Sequence, residues 1–453
     1  MTQAASTFKQ EARAIFKLAL PVIGAMLAQM MLGTIDVVMA GRLGEDTLTA
    51  VGIGNSLAHP VELFLMGVLM SINPVVAHLH GAGKPEAIGS RFRQGLWLAA
   101  FVSLPGVLLV VYAGPVLDIM QIPQAMQPTI TGYMRAWAWG MPPALLFLAL
   151  RFFNEGLGIT RPPLIIMIAT IPLNIAANYI LMYGKLGFPA MGAVGVGYAT
   201  SAVWYFAFLC LAVWTLQHKG FAKYHLLSQT KPRWNHLKEL IKIGTPNGIS
   251  IGMEVSMFAL VTLFLGRLGS LMVASHQVAL NISGCTFMIS MGLATATSIR
   301  IGHAAGAQSL TRVRTIAKAG VFLTIITSSI MMLFMVGFAS PLAGLYTKEP
   351  DVQALAASLL MLAAVFQISD GIQVTVSGAL RGLKDTRVPM LSNTMAYWLA
   401  GIPAGYYLGL KRGMGAAGFW WGLIIGLTVA AVLHGLRLHY LVKHGGEHLF
   451  EKI

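Results

Sequence analysis

Long apolar runs, separated by short stretches rich in Gly, Pro, Lys and Arg, recur along the whole chain. A run of about 20 apolar residues is what a helix needs to cross the hydrocarbon layer of a bilayer. The runs are continuously apolar, unlike the alternating segments of about ten residues that build a transmembrane barrel. The pattern predicts helices over 16–40, 51–78, 92–114, 129–153, 163–184 and 190–217 in the first half. In the second half it predicts 240–265, 273–302, 315–339, 352–380, 388–410 and 415–442. The expected fold class is therefore an all-α polytopic membrane protein of about twelve transmembrane helices.

The two halves repeat each other. Lys17-Leu-Ala-Leu-Pro21 matches Lys242-Ile-Gly-Thr-Pro246, and Gly41-Arg42-Leu43-Gly44 matches Gly266-Arg267-Leu268-Gly269, both at an offset of 225. At the same offset Gly67 falls on Gly292, His78 on His303 and Gly95 on Gly320. Gly156-Leu157 and Thr160-Arg161 match Gly382-Leu383 and Thr386-Arg387 at 226; Met191-Gly192-Ala193 matches Met414-Gly415-Ala416 at 223. Six spans per half is an even number, so both halves enter the membrane from the same side. Such parallel repeats are related by an axis along the membrane normal, with a cavity expected between the lobes. The domains expected are a six-helix lobe over 1–217, a polar linker over 218–238 and a second six-helix lobe over 239–453.

Composition agrees: 56% of residues are hydrophobic and 10% charged, against about a quarter charged in average soluble domains. Net charge is +15, and its location decides its meaning. With the N-terminus inside, 24 of the 31 Lys and Arg fall on the cytoplasmic side, six of them between Lys219 and Lys242. The remaining seven are Arg42, Arg135, Lys185, Arg267, Lys348, Lys411 and Arg412. This is the positive-inside bias that orients membrane proteins, so the basic charge sets topology and no nucleic-acid partner is expected. Cys210 and Cys285 lie inside predicted helices without a motif and read as packing residues. The start of the chain resembles a signal peptide, but the same element recurs in mid-chain, so cleavage is not expected.

Of sixteen acidic residues, four lie within predicted spans: Asp36, Glu62, Glu254 and Asp370. An ionised group at the bilayer centre costs about 2.5–3.5 kcal/mol on insertion scales, so such residues mark an ion or substrate path or pair with a base. No Lys or Arg lies within ten residues of Glu254 or Asp370. At 1.5 Å rise per residue, Glu254 is about 18 Å past Lys242 and Asp370 about 16 Å from Arg381, which sets both at similar depth. Asp36 is about 28 Å beyond Lys17, nearer the outer half of its lobe. Each acid shares a helical face with polar neighbours: Gln29, Gly33 and Asp36; Asn247, Ser250 and Glu254; Gln367, Asp370, Gln373 and Ser377. Asn174 and Asn178 are i, i+4 amides in an apolar span. Amides around a carboxylate offer oxygen ligands to a hard cation. Glu62, beside His59, fits an interfacial role as well as a functional one. The 26 Met could line an adaptable cavity, though for any single Met packing is the better reading. His78 and His303, at equivalent helix ends, read as interfacial packing. No Walker-type phosphate loop and no H-E-x-x-H spacing occurs.

Several stretches carry a family resemblance: Ile35-Asp36-Val37-Val38-Met39-Ala40-Gly41, Ala274-Ser275-His276-Gln277-Val278-Ala279-Leu280-Asn281, Leu362 to Asp370, and Gly378 to Arg387. In these the chain closely resembles the NorM-type branch of the multidrug and toxic compound extrusion (MATE) family, over essentially its whole length. The resemblance implies a MATE-type fold of two pseudo-symmetric six-helix lobes. It implies a cation-coupled antiporter that expels cationic lipophilic drugs and toxins, not an enzyme. Asp36 resembles the first-lobe acid, with Asn174, Asn178 and Thr200 near it; where some members carry a further acid, this chain has Asn178. Glu254 and Asp370 resemble the paired second-lobe acids of the NorM type, usually coupled to Na⁺. Phe287 and Phe366 fall where family aromatics contact the cation, and Gln277, Asn281 and Gln367 lie within the matching stretches as supporting residues.

The expected function is drug efflux in exchange for Na⁺ or H⁺, with rivals in a lipid-linked sugar flippase, whose relatives commonly have fourteen spans, and a multispan membrane enzyme. No cofactor beyond the coupling ion is expected, and the partners are small cationic substrates and membrane lipid. A monomer in the bacterial inner membrane with both termini cytoplasmic completes the expectation. The charge split gives the first test. A Lys231→Cys variant in intact cells should resist an impermeant thiol reagent and react only after permeabilisation. Efficient labelling of intact cells would reverse the orientation.

Overall fold

The computed structural model describes residues 7–228 and 231–444. Among the described residues eleven helices are long and apolar enough to cross a membrane. In chain order they are α1 (Phe8–Leu43), α2 (Glu45–Gly81), α3 (Pro85–Val111), α4 (Gln127–Gly156), α5 (Arg161–Tyr183) and α6 (Gly192–Gln217). The second half has α7 (Trp234–Gly266), α8 (Ser270–Gly306), α9 (Leu310–Gly337) and α10 (Pro350–Gly382), with α12 (Gly415–His444) last. Between α10 and α12 the expected span over 388–410 is a composite helix, α11. Two α segments, Arg387–Met395 and Ile402–Tyr406, alternate there with π segments, Ala396–Gly401 and Tyr407–Lys411. No single α segment of α11 is therefore long enough to count as a crossing by itself. The linker carries a short 3₁₀ helix, Lys219–Tyr224.

The helices are apolar outward as well as inward. Leu104, Leu109, Ile165 and Leu263 expose 62–69% of their surface. Scattered over whole helices, such side chains would cluster in water; in hydrocarbon they face their natural solvent. Every backbone polar group in the membrane must then be satisfied within its own segment, and the helix does this.

The repeat shows in the corners. Gly44 has φ 141° and Gly269 φ 115°, a left-handed backbone region that favours glycine. These are matching positions, and they turn α1 into α2 and α7 into α8.

By packing, the chain forms two compact units. One comprises Gly24–Gly248; the other joins the segment up to Ile23 to everything from Ile249 onward. The divisions thus fall inside α1 and α7, at positions 225 residues apart, each two residues beyond an internal proline, Pro21 and Pro246. Proline lacks the amide that would hold the preceding turn. Each unit has an ion pair near the start of the helix that enters it. In the first, Arg91 Nη2 lies 2.6 Å from Glu239 Oε2, joining α3 to α7. In the other, fully buried Glu11 on α1 accepts from Arg300 Nε at 3.0 Å and Nη2 at 2.5 Å, and from Arg312 at 3.4 Å.

Within the second unit α10 packs against α8, α9 and α12. A close backbone approach joins α11 and α12. Gly401, Gly405 and Gly409 recur every fourth residue, as do Gly418, Gly422 and Gly426. A Cβ on Gly422 would lie 2.5 Å from the Gly405 Cα and 2.7 Å from the Gly401 oxygen. This is the small-residue contact by which membrane helices pack without a hydrophobic driving force. Gly422→Val should therefore lower stability by about 1–3 kcal/mol through overpacking, read as a lower melting temperature in detergent. Wild-type melting would mean the two helices part at no cost.

Candidate functional site: two buried acid clusters

The first cluster is built on Asp36 of α1, which is 6% exposed. Asn174 Nδ2 and Asn178 Nδ2, one turn apart on α5, donate to its Oδ1 at 3.0 and 2.6 Å. Thr200 Oγ1 of α6 donates to Oδ2 at 2.9 Å. Asn178 Nδ2 also lies 3.3 Å from Asn174 Oδ1. The fold thus brings together Asp36, Asn174, Asn178 and Thr200, residues up to 164 positions apart in sequence. Bonds to an ionised acceptor are roughly twice as strong as neutral ones, and here three donors replace the water a carboxylate would otherwise hold.

A second tier sits on α2. His59 Nδ1 lies 3.1 Å from Glu62 Oε2, which gives Glu62 a local partner. The Tyr133 hydroxyl of α4 donates to Asn55 Oδ1 at 2.6 Å. His59 interacts electrostatically with Asp36, and the Tyr133 phenol with both Asp36 and Glu62. Sequence reading did not assign Asn55, His59 and Tyr133 to the Asp36 site. A signal existed for two of them: Asn55, His59 and Glu62 follow i, i+4, i+7 spacing, one helical face.

The second cluster centres on Asp370 of α10, 1% exposed. Its charge acts on that of Glu254 from α7, which is half-buried. Among the described residues neither acid pairs with Lys or Arg. Around them α10 buries Phe366, Gln367 and Gln373. Gln367 Nε2 reaches the Ser283 carbonyl at 3.4 Å, a long contact, and Gln373 Nε2 reaches Asn393 Oδ1 at 3.3 Å. Phe366 packs edge-on against Phe258 and Trp420, with centroids 6.2 and 5.8 Å away. Gln277 and Asn281 are exposed on α8 and Phe287 is half-buried. Among the described residues none of these three contacts Glu254 or Asp370 by a hydrogen bond or ring contact. Cys285 is exposed on α8, not packed inside, and Cys210 is half-buried. Among the described residues no three His, Cys, Asp or Glu side chains gather as metal ligands. The oxygen donors of the two clusters are carboxylates, amides and hydroxyls, the set suited to hard cations.

Carboxylates buried in apolar helices, inside a duplicated helical frame, define a multi-pass membrane protein with polar clusters within its bundle. The MatE family model matches residues 21–180 and again 246–407, two matches whose starts are 225 residues apart. The multidrug resistance protein NorM of Photobacterium profundum is 39% identical over 439 residues, covering 96% of each chain. A probable multidrug resistance protein NorM of Pasteurella multocida is 36% identical over 458 residues, covering 99% of this chain and 98% of its own. In fold, the eukaryotic MATE transporter AtDTX14 matches with a TM-score of 0.89 at 21% identity, over 98% of this chain and 99% of its own. The chain belongs to the MatE family, the MATE transporters, which are not enzymes.

The first cluster yields a prediction independent of transport. Asn178→Ala removes the shortest hydrogen bond to Asp36, and bonds to charged groups contribute about 1.5–3 kcal/mol. The unfolding temperature of the purified protein should fall accordingly. Unchanged unfolding would show that the amide does not hold the carboxylate.

Proposed function

We propose that this chain is a cation-coupled multidrug efflux antiporter of the inner membrane. It exports cationic lipophilic compounds in exchange for Na⁺, with protons competing for the same site, by alternating access. Both relatives described above carry multidrug resistance names, which supports the drug-efflux part of the reading. The observation that carries the coupling is the Glu254–Asp370 pair. Two carboxylates act on each other inside apolar helices, and among the described residues neither has a basic partner. Such a pair is costly in a low-dielectric interior. A bound cation relieves the repulsion, and so does a proton. Preference for Na⁺ rests on the resemblance of this pair to that of the NorM type.

Antiport follows only if ion and drug bind differently to the inward- and outward-open states. A carboxylate pair that holds the ion in one state and releases it in the other supplies that difference. Inward Na⁺ flow then resets the site and drives release of the drug outside. Asp36 and its three donors form a second candidate station for ion or cationic substrate in the first half.

The test is efflux of a fluorescent cationic drug from proteoliposomes at fixed pH, with and without an inward Na⁺ gradient. Efflux should follow the Na⁺ gradient, and Glu254→Gln or Asp370→Asn should abolish it while leaving membrane insertion intact. Efflux that ignores Na⁺ but follows a pH gradient makes H⁺ the coupling ion. Wild-type exchange in Glu254→Gln removes that acid from the mechanism.

A further inference from the structure

Tyr397 lies on the first π segment of α11 and is completely buried, with 0% of its surface exposed. Among the described residues its hydroxyl has no hydrogen-bond partner. The same holds for two buried oxygens of α10, Asp370 Oδ2 and Gln373 Oε1. Leaving a buried polar group unsatisfied costs about 1–3 kcal/mol, and more when it is charged. Three such oxygens in one region call for a shared partner.

The helix register sets them at one level. A short turn joins α10 to α11, so the two run antiparallel as a hairpin. Gln373 Nε2 donates to Asn393 Oδ1 at 3.3 Å, which fixes their alignment. Asp370 is three residues before Gln373, and Tyr397 four residues after Asn393. In an antiparallel pair these steps lead in the same direction by about one turn each, so Asp370 and Tyr397 stand at one level. The electrostatics agree: the charges of Glu254 and Asp370 both act on the Tyr397 phenol. The backbone there is wide, because the Ile402 amide donates to the Tyr397 carbonyl five residues back. Single π turns of this kind recur at functional sites.

We infer that the Tyr397 hydroxyl is a further ligand of the coupling cation, completing with Asp370 Oδ2 and Gln373 Oε1 an oxygen cage beside Glu254. This rests on the reading of Glu254 and Asp370 as the cation site. Every donor in the cage is oxygen, and hard cations such as Na⁺ are held by carboxylate and neutral oxygen ligands. Neutral oxygens add coordination without adding charge, and so leave the site able to release its ion. Phe366 cannot take this part: it offers no oxygen and its ring is packed against Phe258 and Trp420. The Gln373 amide has a double task, donating to Asn393 on one side and offering its carbonyl oxygen on the other.

The experiment is equilibrium binding of radioactive Na⁺ to the purified full chain, with thermal unfolding in Na⁺ and in choline medium. Wild type, Asp370→Asn, Tyr397→Phe and Gln373→Met are compared. Wild type should bind Na⁺ saturably and Asp370→Asn should not. Tyr397→Phe removes one oxygen and keeps the ring; it should weaken Na⁺ affinity about tenfold, the effect of one hydrogen-bond-strength contact to a charge. Its unfolding in choline should stay near wild type, while the stabilisation by Na⁺ shrinks. Gln373→Met should weaken binding likewise, and carries the test if the Phe variant does not fold. Wild-type Na⁺ affinity in folded Tyr397→Phe, with Asp370→Asn still defective, overturns the ligand assignment and leaves the acid site standing. A loss of stability in choline with an undiminished Na⁺ effect also overturns it, by making the hydroxyl purely structural. Wild-type Na⁺ binding in Asp370→Asn sinks the site and the Tyr397 assignment together.

Discussion

A bilayer offers no water to a polar group, and almost everything in this protein follows from that. Backbone amides and carbonyls find partners only within helices, so the described chain is nearly all helix. Side chains obey the same rule. Asp36 is accommodated inside the bundle because Asn174, Asn178 and Thr200 each bring a donor to it. Glu11 lies buried because two arginines reach it. The Glu254–Asp370 pair stands out against this background, since the described residues supply it with no base.

The duplication gives each half the same frame but not the same chemistry. Matching glycines turn the first two helices of each half, and matching prolines stand beside the divisions between units. Within that frame the first half builds a carboxylate saturated with donors. The second builds two carboxylates that have no basic partner among the described residues.

The α11–α12 contact links packing to that site. Glycines every fourth residue let the two backbones touch, which holds α11 firmly although π turns interrupt it. The first π turn begins next to Tyr397, four residues beyond the asparagine that binds Gln373. The wide turn runs from the Tyr397 carbonyl to the Ile402 amide, so it rotates the side chains that follow Tyr397.

By itself the sequence determined the membrane fold, the repeat, the span positions and the four intramembrane acids. These are properties of single segments: an apolar run long enough to cross, a fixed offset, a charge where charge is costly. It also placed Asn174 and Asn178 with Asp36, through family resemblance. Only the tertiary structure decided which atoms meet. Tyr397 sits in an apolar aromatic stretch and carries no local mark of function; its level with Asp370 depends on the register of α10 and α11. Asn55 and His59 show a face on one helix, but nothing in their own segment says that this face lies near Asp36. The division of the packing units inside α1 and α7 is equally invisible in chain order. Helix formation is local, whereas a site in a bundle is assembled from several helices whose relative rotation no single segment encodes.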